Sequence, residues 1–147
     1  MQNVSMADVK ELRVLVADDD RSIRQLVCTI VKREGIAVDC VADGEEAIEL
    51  LKKHEYSVIL LDLMMPKVDG FGVIEYLKTH PQEAKPVVLV ITAYADQKFK
   101  EVDADVVAGV LRKPFEVADL GNIVRQCAYD LSGHGARLTL ARHNLEH

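Results

Sequence analysis

The side chains able to do chemistry in this chain are few, and each follows an apolar run. Asp18, Asp19 and Asp20 come directly after Val14-Leu15-Val16-Ala17, and Asp62 comes after Val58-Ile59-Leu60-Leu61. Thr92 closes Val87-Val88-Leu89-Val90-Ile91, and Lys113 follows the run that ends at Leu111. If the runs are strands of one parallel sheet, all of these side chains sit at carboxyl ends of strands, where open α/β sheets bind ligands. Carboxylates gathered there repel and raise one another's pKa, so the cluster needs a cation. Lys113 supplies one charge, and a hard, oxygen-seeking Mg²⁺ would supply the rest. A carboxylate, a divalent cation, a lysine and a threonine hydroxyl around one point are the parts of phosphoryl transfer, with the carboxylate as accepting nucleophile. Taken singly, Asp18-Asp19-Asp20 reads as a helix cap with solvated neighbours and Lys113-Pro114 as a strand exit. Asp62, at the end of a buried run, is harder to place without a partner.

The elements that must position these residues are visible as two alternating periodicities. Runs rich in apolar and β-branched residues at 12–17, 36–41, 57–61, 86–91 and 106–111 suit strands buried on both faces. Between them lie helical stripes: Ile23, Leu26, Val27, Ile30 and Val31; Ala47, Ile48, Leu50 and Leu51; Val73, Ile74 and Leu77; and Val117, Leu120, Val124, Cys127 and Leu131. Asp20, Asp43 and Asp69 stand where helix caps are needed, and Gly35 stands where the first helix ends. The stretch 95–105, with only Phe99 and Val102 as anchors, predicts a short, loosely held helix. Five βα units in sequence predict an α/β fold, a five-stranded parallel sheet in the order 2-1-3-4-5 wound on both sides in the flavodoxin-like manner. In that order the winding reverses between the first and third strands, which is where Asp18, Asp19 and Asp62 would meet.

Length and composition set the frame. At 147 residues, 49% hydrophobic and 29% charged, the chain is one globular domain with a real core. A net charge of −6 attracts neither nucleic acid nor anionic lipid, so neither is expected as a partner of this chain alone. The apolar runs are too short to span a bilayer and residues 1–11 lack a signal sequence, so a cytoplasmic protein is expected. Cys28, Cys40 and Cys127 lack metal-ligand spacing and are expected to be reduced. The domain is expected over 12–131, after an N-terminal extension (1–11) and before a tail or linker (132–147). The last three residues of that tail, Leu145-Glu146-His147, look like the end of an expression tag.

Val14-Leu15-Val16-Ala17-Asp18-Asp19-Asp20, Leu60-Leu61-Asp62-Leu63-Met64-Met65-Pro66-Lys67-Val68-Asp69-Gly70, Ile91-Thr92-Ala93 and Lys113-Pro114-Phe115 together resemble the response-regulator receiver domain of bacterial two-component signalling. The resemblance covers about 12–131. It implies that Asp62 is the phosphoacceptor for a sensor histidine kinase or phosphotransfer protein. It also implies that Asp18, Asp19 and Asp62 hold Mg²⁺ with the backbone carbonyl of Met64, and that Thr92 and Lys113 bind phosphoryl oxygens. Pro66 and Gly70 would shape the loop after Asp62, and the Lys113-Pro114 peptide would be cis. The family's output face combines the helix over 95–105, the fifth strand and the final helix; its partner here is unidentified, and a homodimer is one option.

Two departures touch that face. The family carries an aromatic ring three residues before the lysine, where this chain has Val110, and the stretch 102–107 lacks the usual Gly-Ala turn. Signalling from Thr92 would then need Tyr94 or Phe99, or backbone motion over 92–105, in place of the ring. Two other functions stay open at this level. Asp18-x-Asp20 also resembles the nucleophile motif of haloacid-dehalogenase-type phosphatases, although Asp62 and its loop would then be unexplained. A receiver-like interaction module that is never phosphorylated would not require the acidic cluster.

Overall fold

β-branched residues crowd a helix but sit easily on a pleated surface, and each of the five runs forms a strand. The computed structural model describes residues 12–93 and 102–131. It contains β1 (Arg13–Ala17), β2 (Ala37–Val41), β3 (Val58–Leu61), β4 (Val87–Thr92) and β5 (Val107–Arg112). The described helices are α1 (Arg21–Arg33), α2 (Gly44–Lys53), α3 (Gly70–Thr79) and α4 (Val117–Leu131). All strand pairs are parallel, in the order β2-β1-β3-β4-β5. The expected helix over 95–105 falls mostly on residues outside those described.

Side-chain alternation along the strands feeds two apolar layers. Val14, Val16, Leu60, Leu89, Ile91 and Leu111 face α1 and α4, packing on Val27, Ile30, Val31, Leu120, Ile123 and Val124. Leu15, Ala17, Ile59, Leu61, Val88, Val90 and Val110 face α2 and α3, packing on Ala47, Leu51, Val73, Ile74 and Leu77. Helix starts follow the aspartates. Asp20 accepts from the Ile23 N–H at 3.1 Å, Asp43 from Glu46 at 2.8 Å and Asp69 from Gly72 at 3.0 Å. Gly35 closes α1 with φ of 75°, a conformation that favours glycine.

Three expectations are corrected. First, β2 is not buried on both faces: it is the edge strand, and Ala37 and Cys40 are exposed. Having only one strand neighbour, it can carry Asp39. Second, Leu26 and Val117 lie on the solvent side of their helices, and Cys28 joins the buried face of α1 instead. Third, Cys28 and Cys40 are not separate thiols but a disulfide. The register pairs Cys40 with Val16, on the sheet face that α1 covers, and this brings the two sulfurs together. Cys127 is buried and outside any disulfide.

Asp39 ties three elements at the sheet edge. Its Oδ2 accepts from the Tyr56 hydroxyl at 2.6 Å and from Arg13 Nε at 3.0 Å, and the Arg13 guanidinium lies 5.7 Å from the Tyr56 ring centre. Burial raises the Asp39 pKa, but the Tyr56 hydroxyl and the Arg13 charge outweigh it and hold the carboxyl below its usual value. The ionised form therefore stabilises the fold above the unfolded-state pKa, and that contribution is lost as pH falls through the folded value. Asp39→Asn should lower the unfolding free energy by about 1 kcal/mol at pH 7 and by progressively less below about pH 4. Urea titrations at the two pH values measure this; a cost independent of pH would contradict it.

Candidate acidic phosphoacceptor site

The site is built where strand pairing runs on past the ends of the strands. The Asp18 N–H donates to the Val41 carbonyl at 3.1 Å, Asp62 to Ala17 at 2.9 Å and Lys113 to Thr92 at 2.9 Å. Each functional residue is thereby fixed to a neighbouring strand by its own backbone. Asp18 and Asp62 come from adjacent strands on either side of the point where the winding reverses, as expected.

Asp18, Asp19 and Asp62 each offer an oxygen atom to one cluster whose members lie within 4.8 Å of one another. Asp18 and Asp62 are buried, at 3% and 5% exposure, whereas Asp19 is open to solvent. Lys113 Nζ reaches over the sheet to Asp18 Oδ2 at 3.0 Å and Asp62 Oδ2 at 3.6 Å. Its single charge does not balance the cluster. Burial first, and then the charge of Asp18, push the Asp62 pKa up to about 7; Lys113 and the Met64 N–H oppose the rise, while Asp19 adds to it. The cluster's donor set is all oxygen, the kind that suits a hard divalent ion such as Mg²⁺.

The remaining expected residues divide. Thr92 is fully buried at the end of β4. Met64 has an exposed side chain and donates its N–H to Asp62 Oδ1 at 3.3 Å. Asp20 is turned away to cap α1, and its N–H holds Asp18 Oδ1 at 2.9 Å. Val110 lies in the core layer facing α2 and α3. Tyr94 and Phe99 lie outside the described residues. The Lys113-Pro114 peptide is cis.

Two positioning residues escaped the sequence reading. Arg24 Nη1 donates to the Asp18 carbonyl at 2.8 Å, so α1 grips the residue that precedes it in the site. No motif marks that arginine; only its place in the first turns of the helix hints at it. Lys67 takes the left-handed conformation of the loop, with φ of 66°, and its ammonium lies 3.8 Å from both Asp43 and Glu45. Gly70, expected to shape the loop after Asp62, is needed there for room. A Cβ there would stand 2.5 Å from the Asp62 carbonyl oxygen and 2.6 Å from Leu63 Cα.

Fold and site together define an α/β protein with a lysine-bridged acidic pocket at the switch point of its sheet. The profile of the response regulator receiver domain matches residues 14–125, and the chain belongs to that family. It is thus a receiver domain of two-component response regulators, a family phosphorylated on aspartate. Among curated relatives, the "Probable transcriptional regulator ycf27" of Porphyridium aerugineum is 35% identical over 117 residues, 77% of this chain and 46% of that protein. The "Probable chemotaxis protein CheY" of Rhizobium etli is 27% identical over 76% of this chain and 88% of its own length. The chain spans about half the length of the ycf27 protein of Porphyridium aerugineum and of the GltR protein of Pseudomonas aeruginosa, and a smaller share of some other regulators it matches. Among solved structures, chemotaxis response regulator CheY4 of Vibrio cholerae superposes with a TM-score of 0.72 at 30% identity, covering 80% of this chain and 99% of that one. Response regulator TrrA of Thermotoga maritima, solved with Mg²⁺ and a beryllium fluoride, superposes at 0.69 and 25% identity over 79% of this chain and 98% of its own.

Because the Asp62 carbonyl and the start of α3 touch with no space between them, Gly70→Ala should displace the loop that carries Met64. The expected cost is about 1–3 kcal/mol in urea unfolding, with amide shifts concentrated at 62–70. An unchanged midpoint would show that the close approach is not limiting.

Proposed function

We propose that Asp62 is the aspartate of this receiver domain that takes the phosphoryl group, from the phosphohistidine of a sensor kinase or phosphotransfer protein. The observation that carries this is the position of the Asp62 carboxylate, buried beside Asp18 with Lys113 bridging the two and its pKa raised. Asp18, Asp19 and Asp62, with the backbone carbonyl of Met64, are the groups that would hold Mg²⁺. The ion would offset the negative charge of the pocket and of the arriving phosphoryl group.

The protein's own contribution is a positioned nucleophile and a place for charge. A carboxylate oxygen of Asp62 attacks phosphorus as the donor P–N bond breaks, and the leaving imidazole keeps the bonding pair and takes up a proton. Lys113, already within 3.6 Å of Asp62, pairs with a phosphoryl oxygen. The Thr92 hydroxyl serves another, from the adjacent strand end. Asp20, committed to the cap of α1, is not available as the second carboxylate that a haloacid-dehalogenase-type phosphatase would require beside Asp18. The reading is therefore a signalling phosphoacceptor rather than a turnover enzyme.

The wider role follows the longer relatives. Regulators that match over this part of their length support a domain at about 12–131 acting as the input half of a longer response regulator. Its output would pass through β5, α4 and the stretch of chain that follows Thr92. With Val110 already packed in the core, the signal leaves by Thr92 and the chain that follows it, in place of a swinging ring. No described helix is long and apolar enough to cross a membrane, which is compatible with a cytoplasmic site of action.

Incubation with a small phosphodonor and Mg²⁺ should add one phosphoryl group to the protein by intact mass. Asp62→Asn should lose it, and chelation of the metal should lower labelling of the parent by at least about 100-fold. Labelling of Asp62→Asn at the parent rate would overturn the assignment. Asp19→Ala, which removes an exposed ligand without opening the core, should weaken Mg²⁺ binding by about tenfold or more in a titration followed by amide shifts. Unchanged affinity would remove Asp19 from the metal set.

A further inference from the structure

We propose that Cys28 and Cys40 form a thiol–disulfide site that exchanges with a low-molecular-weight disulfide of the glutathione type, and that its oxidised form braces the backbone of Asp18. The two residues sit on different elements, Cys28 on the buried face of α1 and Cys40 on the edge strand β2, with Cα atoms 6.8 Å apart. That spacing lies within the range that a disulfide spans. Their exposures differ: Cys28 is 7% exposed, whereas Cys40 lies open to solvent on the sheet edge. A dissolved disulfide can reach Cys40, and Cys28 is placed to resolve the product from beneath it.

The exchange balances in two steps. The Cys40 thiolate attacks one sulfur of oxidised glutathione; that S–S bond breaks, and one glutathione leaves as a thiolate and takes up a proton. The Cys28 thiolate then attacks the Cys40 sulfur of the mixed disulfide, and the second glutathione leaves in the same way. The protein dithiol gives up two electrons and two protons, and oxidised glutathione gains them as two thiols.

The consequence for the acidic pocket follows from two hydrogen bonds. Val41, the residue after Cys40, accepts from the Asp18 N–H at 3.1 Å. Arg24, one helical turn before Cys28, donates to the Asp18 carbonyl at 2.8 Å. The two elements that hold the Asp18 backbone from either side are the two that the disulfide joins. Oxidation closes a loop between residues 12 apart in sequence, removing freedom from the unfolded chain and from any local opening that parts α1 from β2. The inference rests on these backbone contacts and not on the assignment of Asp62 as acceptor, so the two can fail separately.

The test uses the full chain equilibrated with either oxidised or reduced glutathione, then acid-quenched, unfolded and labelled with N-ethylmaleimide. Of the three cysteines, the oxidised protein should take up one label, on Cys127, and the reduced protein three. The oxidised form should melt about 5 °C or more above the reduced form, and the Asp18 amide should exchange severalfold more slowly. Cys40→Ser, an exposed change that leaves the core intact, should melt with reduced wild type and respond to neither glutathione state. Three labels on protein equilibrated with oxidised glutathione would overturn the proposal. So would a single label with the melting point or the Asp18 exchange rate unchanged.

Discussion

Two carboxylates that repel each other are held side by side in a buried place, and most of the structure is arranged around keeping them there. Asp18 and Asp62 stand at the ends of adjacent strands, nearly excluded from water, with one lysine between them. Left to itself, such a pair would protonate or move apart. Neither backbone can move, because each aspartate donates its N–H into the ladder of the next strand. The ladder in turn stands on two apolar layers that cover β1, β3 and β4 on both faces. The core thus fixes local charge in an unfavourable arrangement, and the raised pKa of Asp62 registers the cost.

The three consecutive aspartates show how finely that arrangement divides labour. Asp18 turns inward to Lys113, Asp19 stays in solvent at the rim, and Asp20 turns along the helix to cap it. The cap also holds the site: the Asp20 N–H fixes one oxygen of Asp18, leaving the other for the lysine. A single residue of slippage in β1 would exchange all three roles, and the ladders that pair β1 with β2 on one side and β3 on the other hold its register.

What the sequence made legible follows the same physics. Strands buried on both faces leave unbroken apolar runs, so β1, β3 and β4 announce themselves, and the polar residues that end the runs announce the site. Caps are local, and Asp20, Asp43 and Asp69 were readable for that reason. The run over 36–41 marks β2 as a strand but not as an edge strand, because an edge strand needs only part of its surface apolar and its place in the sheet is a fact of topology. The pairing of Cys28 with Cys40 depends on which strand face α1 covers, a fact of register that no spacing in the chain encodes. Gly70 was visible as a glycine of the loop, but its reason, the nearness of the Asp62 carbonyl, belongs to the folded turn. The left-handed residue is Lys67, which has no such mark in the sequence.

Lys113 extends from the end of β5 across the tips of β4 and β3 to reach a carboxylate on β1. It is a tether between strands that share no backbone hydrogen bond. An anion that competes for its ammonium removes this side-chain link between those two strands, while the backbone ladder of each strand stays as it is. The lysine is therefore the point at which a change of charge in the pocket is felt by the strand farthest from Asp18 on that side of the sheet.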